Sequence, residues 1–571
     1  MADLPTFDCT KSDIVLCTLN AKYIHASLGL RYLLANMGDL QPKTALCEFT
    51  INRKTEELAA ELLALNPKII GFGVYIWNTV QTCALVKLLK TQRPDIKIIL
   101  GGPEVSHETL EQEIVHSSDH VITGWGDVSF PKLCQALIHG PKPLMKVIAG
   151  EQTPLADIKL PYDLYTDDDL AHRLLYVEAS RGCPFKCEFC LSSLDKTAWA
   201  FDLELFLGEL ETLYKRGARN FKFVDRTFNL KIDASVRILQ FFLDKLSEEQ
   251  FPAGPPQGEL APTGGSAAHA VASVGANLFV HFEVIPDHLP DKLKDMIAQF
   301  PPGVLQFEVG IQSFNVEVQQ RISRRQDNDK TVANLGWLVN ESNAHLHTDL
   351  IFGLPGESLQ SFGEGFDRLF AIKPHEIQLG ILKRLRGTPI ARHTAEHGMV
   401  YDALPPYQIQ QTNAVSAAEM QRFARLARYW DLVANSGRFG GAMEMLLTVD
   451  SPSNSPFWVF MNFSDWLWES SPKTKGKTSG ITPENLIDTL HAYLIDVRKF
   501  DAVLVTKTLL ADYIASGARA RPDVLRSLIP KLPLPQVKVG KQLSQRQTQH
   551  QKQLEANPET TENMETTGMN A

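Results

Sequence analysis

Apolar segments of strand length alternate with amphipathic helical segments through the first 150 residues. Branched and aromatic residues concentrate in short runs, and helical stretches such as TEELAAELLALN separate them. The predicted strands occupy residues 14–19, 45–49, 68–76, 96–102 and 120–124. Because strands that alternate with helices form parallel sheets, residues 1–150 are predicted to fold as a doubly wound, Rossmann-like α/β domain.

A second series of strand-like segments fills residues 170–395. These segments occupy residues 174–180, 221–225, 278–284, 304–311, 345–353 and 376–383. Helix-length segments separate most of them, which is typical of β/α repeats around a parallel sheet. The sequence therefore predicts a second α/β domain with six strands.

The remaining sequence divides into a helical region and two segments of low complexity. Residues 400–535 include the strongly helical AAEMQRFARLARYWDLVANSGRF, and the aromatic-rich segment 456–469 is predicted to be core or a lid. Residues 253–276 are small and polar and are predicted to form a flexible insertion. Residues 541–571 contain almost no apolar side chains, so we expect a disordered tail.

Glycines mark the ends of the first domain's predicted strands. The most prominent are Gly71, Gly73, Gly101 and Gly102. Such turns could belong to a plain scaffold, but the carboxyl ends of parallel strands are also where doubly wound sheets bind ligands. No G-x-G-x-x-G motif opens a helix after the first strand, which argues against a dinucleotide.

Polar residues interrupt the apolar strands of the second domain. They lie within the strands or at their carboxyl ends and are Asp225, Glu283, Glu308, Gln312 and Asp349. Buried parallel strands are normally almost continuously apolar. Each residue alone could be a hydrogen-bonded core carboxylate or a helix cap, but together they predict a ligand site.

The loop SRGCPFKCEFC contains Cys183, Cys187 and Cys190, with the spacing Cys-x-x-x-Cys-x-x-Cys. This spacing suits thiolates around three irons of a 4Fe–4S cluster, with the fourth iron left open. An open coordination position is typical of catalytic rather than structural metal sites. A zinc site would need a fourth ligand, and neither Cys nor His follows in register.

The cysteine loop, with the aromatic Phe189 before its last cysteine, resembles the radical S-adenosylmethionine (SAM) superfamily. This resemblance implies a partial (β/α)6 TIM-type barrel in which SAM binds the open iron. The segment GIQSFNVEVQQRISRRQD resembles oxygen-independent coproporphyrinogen oxidase and implies that Gln312 and Arg324 bind the SAM carboxylate. Together with HFEVIPD and DLIFGLPGE, the resemblance implies further SAM contacts from Phe189, Asp225, Glu283, Ser313, Asp349 and Gly353.

The first domain resembles the cobalamin-binding domain of cobalamin-dependent radical SAM proteins through its GFGVY and GGPEVS turns. The motifs NAKYIHASLGLRYL and ARYWDLVANSGRF are typical of a branch with a helical C-terminal extension. The resemblance implies that Gly71, Gly73, Gly101, Gly102 and His25 contact cobalamin. Cobalamin domains with a cobalt-bound histidine carry D-x-H-x-x-G, but here Tyr23 replaces the aspartate, so we expect no histidine on cobalt.

Another family with two clusters offers an alternative. Methylthiotransferases hold a second cluster on three N-terminal cysteines, which Cys17, Cys47 and Cys83 could imitate. These residues lie inside apolar strand and helix patterns, where a small buried hydrophobic residue is expected. A net charge of −9 and a pI near 6.0 also argue against nucleic acid as a partner.

The resemblance implies an enzyme that methylates an unactivated carbon of a small molecule. A deoxyadenosyl radical would remove a hydrogen, and methylcobalamin would deliver the methyl group. The similar anaerobic magnesium-protoporphyrin ester cyclases make cyclisation or rearrangement an alternative, and a redox or cobalamin sensor is a third. We expect an electron donor such as flavodoxin or ferredoxin, no membrane partner and a cytoplasmic location.

Overall fold

The computed structural model describes residues 12–250, 278–448, 455–518 and 521–529. They divide into two compact units. The first comprises Met1–Phe228, Lys383–Thr394 and Tyr401–Ile409, and the second comprises Asn229–Leu382, Ala395–Val400 and Gln410–Ala571. The predicted insertion at 253–276 and the predicted tail at 541–571 lie outside the described residues.

A six-stranded parallel sheet forms the first part of the first unit, with strand order β2-β1-β3-β4-β5-β6. Its strands are β1 (Ile14–Asn20), β2 (Thr44–Thr50), β3 (Ile69–Gly73), β4 (Lys97–Gly101), β5 (His120–Thr123) and β6 (Val147–Ala149). The first five confirm the predicted strands. The sequence did not predict β6, because its three residues carry no long apolar run and are partly exposed.

Helices cover both faces of this sheet. They are α1 (Leu28–Ala35), α2 (Thr55–Ala64), α3 (Thr79–Gln92), α4 (Glu113–His116) and α5 (Ser129–His139). In β1, Val15 and Cys17 belong to a core with α2 and α3, whereas Ile14 and Leu16 belong to a core with α1 and α5. Since alternate residues of one strand enter separate cores, the sheet is doubly wound, as predicted.

The first unit continues into the second series of strands. Its further elements are α6 (Asp167–His172), β7 (Leu175–Val177), β8 (Ser180–Arg181), β9 (Trp199–Ala200), α7 (Leu203–Lys215) and β10 (Asn220–Phe223). The strands β7 and β10 are parallel neighbours, and β8 pairs with β9 in antiparallel orientation. The cysteine loop therefore follows β7 and lies between the two short strands β8 and β9.

Four parallel strands form the sheet of the second unit, in the order β14-β13-β12-β11. The elements are α8 (Ile232–Gln250), β11 (Phe279–Val284), α9 (Asp291–Ile297), β12 (Leu305–Gln312), α10 (Val316–Arg321), α11 (Asn328–Glu341), β13 (His345–Phe352), α12 (Leu359–Phe370) and β14 (Glu376–Ile381). With β7 and β10, they account for all six predicted strands.

The C-terminal part of the chain is mainly helical, as predicted. It contains β15 (Val400–Tyr401), β16 (Ile409–Gln411), α13 (Ala417–Val433), α14 (Gly440–Leu447), α15 (Pro456–Glu469), α16 (Pro483–Ala492) and α17 (Ala502–Ala515). The aromatic-rich segment forms α15, whose Phe457, Phe460 and Phe463 are fully buried against other aromatic rings. Among the described residues, no helix has the length and apolar character needed to cross a bilayer.

Candidate functional site

A cavity of about 720 Å³ opens at the carboxyl edge of the first sheet. It lies at the ends of β1, β3, β4 and β5, where the order β2-β1-β3 makes the chain change direction across the sheet. Doubly wound sheets bind ligands at this switch point. The cavity is lined by the predicted glycines Gly71, Gly73, Gly101 and Gly102, so the structure brings all four together.

Two of these glycines have no room for a side chain. Gly102 has a φ of 107°, and a Cβ there would lie 2.5 Å from the carbonyl oxygen of Val74. A Cβ on Gly71 would lie 2.6 Å from the ring of Phe130. The protein itself fills the space beside these two residues, so the packing of the strand ends requires glycine at both positions. The four glycines form a cradle of backbone atoms at adjacent strand ends, which fits the long, polar nucleotide tail of cobalamin.

Aromatic side chains that the sequence analysis missed line the same cavity. Tyr75 and Trp77 stack with ring centroids 4.5 Å apart, and Trp77 is 47% exposed. Buried Asn78 donates to the carbonyls of Leu19 and Gly73, each at 3.1 Å, and thereby joins the ends of β1 and β3. The segment YIWN, which follows a glycine-rich strand end, could have indicated these aromatic residues from the sequence.

His25 also lines the cavity, and its partner is a tyrosine rather than a carboxylate. The Nδ1 atom of His25 lies 2.7 Å from the hydroxyl of Tyr176, whereas Tyr23 hydrogen bonds to Asp168. Burial and the nearby Lys222 lower the pKa of His25, so its imidazole is neutral at pH 7. The structure thus brings His25 to the cavity and supplies no aspartate to orient it.

Buried charges hold the His25 loop in place. Glu48 accepts from the Ser27 amide at 2.5 Å and pairs with Arg31 and Arg173, each at 2.8 Å. Burial raises the pKa of Glu48, but the two guanidinium groups outweigh this effect and hold it below its ordinary value. Asp169 completes the group through Arg31 at 2.8 Å. These four side chains are at most 5% exposed, so the loop rests on a desolvated ionic network.

Gly182 allows the chain to turn sharply into the cysteine loop. Its φ is 85°, and a Cβ there would lie 2.8 Å from the amide nitrogen of Ala198. The Cys183 amide donates to the Asp195 carbonyl at 2.9 Å, and the Cys190 amide donates to Cys187 at 3.1 Å. Burial and the two neighbouring thiols raise the pKa of Cys183.

A single zinc ion requires its cysteine sulfurs to lie close together. A tetrahedral zinc with Zn–S bonds of about 2.3 Å would hold its sulfurs roughly 4 Å apart. Within the described residues, the three thiols do not form a set in which all ligand atoms lie within 4.8 Å of one another. This arrangement does not match a single zinc ion, and the spacing of the three cysteines along the sequence is the one expected around a 4Fe–4S cluster.

Asp225 follows β10 and lies near the start of the cysteine loop. It is buried and accepts from the Ala179 amide at 2.9 Å and the Ser180 hydroxyl at 2.5 Å. Burial raises the pKa of Asp225 to about 7. Phe189 is half-buried within the loop. Both residues therefore lie in the first unit, and the remaining predicted SAM contacts lie in the second.

Gln312 and Arg324 meet at Gly310 in the second unit. The β12–β13 register shifts between Gly310 and Gln312, and Gln312 has a φ of 70°. The guanidinium of Arg324 donates to the Gly310 carbonyl, and the Gln312 amide lies over the same glycine. The two residues expected to bind the SAM carboxylate are thus brought together by a bulge that spacing alone did not predict.

Ser313 and the glycine turn at 353–357 are also joined. The Ser313 hydroxyl donates to Glu357 at 2.5 Å, and burial raises the pKa of Glu357 to about 8. Gly353 has a φ of 89°, which fits the sharp turn predicted from the sequence. The Ser313 hydroxyl therefore stabilises the turn. Ser313 would contact SAM through its other atoms.

One face of the second unit's sheet carries ionisable side chains. In β12, Phe307, Val309 and Ile311 are buried, while Glu308 belongs to the alternate face. Glu308 lies 3.2 Å from His281 and is in register with Glu283 and His347. The histidines were missed by sequence analysis, although their alternation with apolar residues is visible in HLHTDLIF.

His347 is the best-connected member of this face. It lies 2.7 Å from Gln378 and 3.4 Å from Asp349. Burial opposes protonation, but Asp349, Glu376 and Glu308 outweigh it and raise the pKa of His347 to about 9. The imidazole is therefore charged at neutral pH and offsets part of the surrounding negative charge.

The other described N-terminal cysteines have apolar surroundings. Cys17 and Cys47 are adjacent across β1 and β2, inside the core that Cys83 packs against. Burial raises the pKa of Cys17, Cys83 and Cys134. Cys9 lies outside the described residues. These positions are strand and helix interiors rather than a loop around a cluster, which weighs against the methylthiotransferase alternative.

Family models match three successive parts of the chain. The B12 binding domain matches residues 14–134, the radical SAM superfamily matches residues 177–369, and a protein of unknown function, DUF4080, matches residues 395–568. The first two matches contain the glycine-lined cavity and the cysteine loop, respectively. They confirm the predicted cofactors cobalamin, SAM and a 4Fe–4S cluster.

Curated relatives match parts of the chain. An uncharacterized methyltransferase of Pyrococcus horikoshii, PH0819, is 28% identical over 249 residues, which are 38% of this chain and 53% of that protein. The cobalamin-dependent radical SAM methyltransferase TokK of Streptomyces tokunonensis is 23% identical over 354 residues, which are 56% of this chain and 47% of TokK. The chain thus spans about half the length of these relatives.

Solved structures share the fold. The cobalamin-dependent S-adenosylmethionine radical enzyme OxsB, in an apo form, superimposes with a TM-score of 0.56 at 13% identity. The superposition covers 96% of this chain and 83% of OxsB. At this identity the likeness extends to the fold, in agreement with the predicted order of a Rossmann-like domain, a radical SAM domain and a helical C-terminal region.

Proposed function

We propose that this chain, which joins a B12-binding domain to a radical SAM domain, is an enzyme that methylates an unactivated carbon of a small-molecule substrate. The observation that carries the proposal is the placement of two cofactor sites in one compact unit. The cavity at the first sheet's switch point and the three-cysteine loop both belong to the first unit. The curated relatives named as methyltransferases support this reaction class.

The first sheet would hold cobalamin through backbone contacts. Gly71, Gly73, Gly101 and Gly102 would contact the nucleotide tail through backbone atoms, because all four line the cavity at adjacent strand ends. Stacked Tyr75 and Trp77 add apolar area to the cavity wall. His25 would contact the cofactor as a neutral imidazole, with its Nδ1 held by Tyr176.

Cys183, Cys187 and Cys190 would hold the cluster, and a further set of predicted residues would hold SAM. Arg324 and Gln312 would bind the SAM carboxylate, since a guanidinium can make two parallel hydrogen bonds to it. The acidic side chains Glu283 and Asp349 would accept from the ammonium group and the ribose hydroxyls. The remaining proposed contacts are Phe189, Asp225, Ser313 and Gly353.

When bound, the cofactors supply the radical chemistry and the methyl group, as is general for cofactor enzymes. The net change on the substrate is replacement of one carbon-bound hydrogen by a methyl group. One SAM would be cleaved to methionine and a deoxyadenosyl fragment, which leaves with the substrate hydrogen. A second SAM would supply the methyl group by way of cobalamin and leave as S-adenosylhomocysteine. An external donor such as flavodoxin or ferredoxin would supply two electrons per turnover, one to cleave the first SAM and one to return cobalamin to the state that accepts the next methyl group. The chain's own residues position the reactants and exclude water.

Anaerobic reconstitution tests the cofactor content. We expect one 4Fe–4S cluster and one cobalamin per chain, measured by iron, sulfide and absorbance analysis. The triple change Cys183→Ala, Cys187→Ala and Cys190→Ala should abolish the cluster, whereas Cys17→Ala, Cys47→Ala and Cys83→Ala together should leave it intact. A full cluster retained by the first variant would overturn the assignment and support a second N-terminal cluster.

The reaction itself is tested with methyl-deuterated SAM. Reconstituted enzyme is incubated with a metabolite extract of a deletion strain, and products are analysed by mass spectrometry. The proposal predicts deoxyadenosine together with a product that carries the deuterated methyl group. Deoxyadenosine with an unlabelled, rearranged product would instead indicate a radical cyclase or rearrangement enzyme, and no deoxyadenosine would indicate a sensor.

A further inference from the structure

A segment that follows β14 connects the two cofactor sites of the first unit. We call residues 383–394 the strap. Its first half contacts the segment that follows Gly102, and its second half contacts the cysteine loop. No sequence motif marked this segment, because its partners are far away along the chain.

The first half of the strap is bound through a buried carboxylate. Glu104, only 4% exposed, accepts from Arg386 at 3.0 Å and from the Tyr407 hydroxyl at 2.7 Å. Glu108 pairs with Arg384 at 2.8 Å and with Arg386 at 3.0 Å. Glu104 lies two residues after Gly102, so the strap anchors the turn that carries two of the proposed cobalamin glycines.

The strap approaches this loop too closely for a side chain at one position. Gly387 has a φ of 79°, and a Cβ there would overlap the ring of His107. The positive φ and the missing side chain both favour glycine here. The backbone of the strap is thus shaped to lie against residues 104–108. The contact between the two segments therefore includes close packing in addition to the salt bridges.

The second half of the strap is bound to Glu188, which lies between Cys187 and Cys190. The Ile390 amide donates to the Glu188 carbonyl at 3.0 Å. His393 Nε2 lies 2.8 Å from the Glu188 carboxylate, and Arg392 pairs with the other oxygen. Since Glu188 is 3% exposed, its charge depends on these partners for compensation.

We infer that the strap is a positioning element that fixes the cysteine loop relative to the Gly101–Gly102 turn, with Arg386 and His393 as positioning residues. The inference rests on the proposed function, because it assigns cobalamin and the cluster to these two sites. A misplacement of about 1 Å in a reacting geometry can cost roughly 100-fold in rate. Two cofactors that act on one substrate carbon therefore need a fixed separation.

Pulsed electron paramagnetic resonance tests this separation without turnover. Cob(II)alamin and the reduced cluster are both paramagnetic, so their dipolar interaction reports the distance between them in the full-length, doubly loaded protein. We expect one narrow distance distribution for the wild type. Arg386→Gln and His393→Gln should broaden or shift it while both cofactors stay bound. Arg93→Gln, which breaks an exposed ion pair with Asp95, is the matched control and should leave it unchanged.

The possible outcomes separate the strap from the proposed function. Tyr407→Phe removes one hydrogen bond from Glu104 and serves as a milder variant if Arg386→Gln does not fold. Distance distributions identical to the wild type in the folded Tyr407→Phe and His393→Gln proteins would overturn the positioning role alone. A wild-type protein that binds no cobalamin would overturn the proposed function, and the strap inference with it.

Discussion

Two regions built from parallel strands differ in the residues that they place at the strand ends and on the strand faces. The first sheet ends in glycines around a cavity, and the charged side chains that line this cavity, Asp127, Glu178 and Arg181, pair with one another. The second unit's sheet places histidines and carboxylates on one strand face, including Glu308 and His347. The first region therefore offers mainly backbone groups beside mutually paired charges, whereas the second offers ionisable side chains along its strands.

The largest expected effect lies in the ionic network behind the first region. Glu48→Ala leaves Arg31 and Arg173 with too little negative charge in a desolvated site, which should cost about 3–5 kcal/mol of folding free energy. Denaturant unfolding measures this value. Glu61→Ala, which breaks the exposed pair with Arg53, should cost less than about 1 kcal/mol. Equal losses of folding free energy in both variants would show that the ion pairs of Glu48 contribute no more than an exposed ion pair.

The glycine cradle gives the next largest effect. Gly102→Ala forces a side chain into a positive φ and against Val74, and should cost about 2–3 kcal/mol and weaken cobalamin binding. Gly208→Ala is the control, because Gly208 is exposed on α7, far from the cavity lining, and its Cβ would meet nothing within 4 Å. Thermal unfolding and cobalamin titration distinguish the two. Equal stability and equal cobalamin affinity in the two variants would contradict the role proposed for Gly102.

The second region is tested through SAM. Arg324→Ala and Gln312→Ala should each weaken SAM binding while leaving the cluster assembled, and loss of the charged contact should cost about 2 kcal/mol. Binding is measured by calorimetry on the reconstituted protein. Arg368→Ala, which breaks an exposed pair with Asp329 in the same unit, should leave the affinity unchanged. Wild-type affinity in both test variants would remove the proposed carboxylate site.

The charged face should also make stability depend on pH. The pKa of His347 is raised from 6.5 to about 9, so the folded state binds this proton more tightly than the unfolded state. The resulting stabilisation is fully present below pH 6.5 and is lost as the pH rises through about 9. His347→Gln should reduce the slope of unfolding free energy between these values. An unchanged slope would assign the pH dependence to other groups.

The smallest expected effect is at His25. The site lacks a carboxylate to orient the imidazole, and the phenol of Tyr176 replaces it, so we expect no strong cobalt–histidine bond. His25→Ala should therefore leave cobalamin binding measurable and the cob(II)alamin resonance spectrum nearly unchanged. Disappearance of a nitrogen hyperfine pattern in the variant would show that His25 does coordinate cobalt.

The predictions from sequence were most accurate where chemistry depends on local spacing. The cysteine loop, the glycine strand ends and the apolar periodicity of β1 to β5 were visible because each is encoded within a few residues. The bulge at Gln312 was not, because it arises from pairing between β12 and β13. For the same reason, the partnership of His25 with Tyr176 could not be read from spacing, since 151 residues separate them.

The sequence by itself determined the order of the two α/β regions and the helical region and the class of cofactors, and it predicts the cysteines that hold the cluster, since local patterns of polarity and residue type specify strands, turns and ligands. Only the tertiary structure decided which charges compensate one another. Glu48 needs Arg173, and Glu104 needs Arg386, because carboxylates withdrawn from water require cations that the fold brings from distant segments. Long-range burial, rather than local propensity, therefore sets the geometry around both proposed cofactor sites.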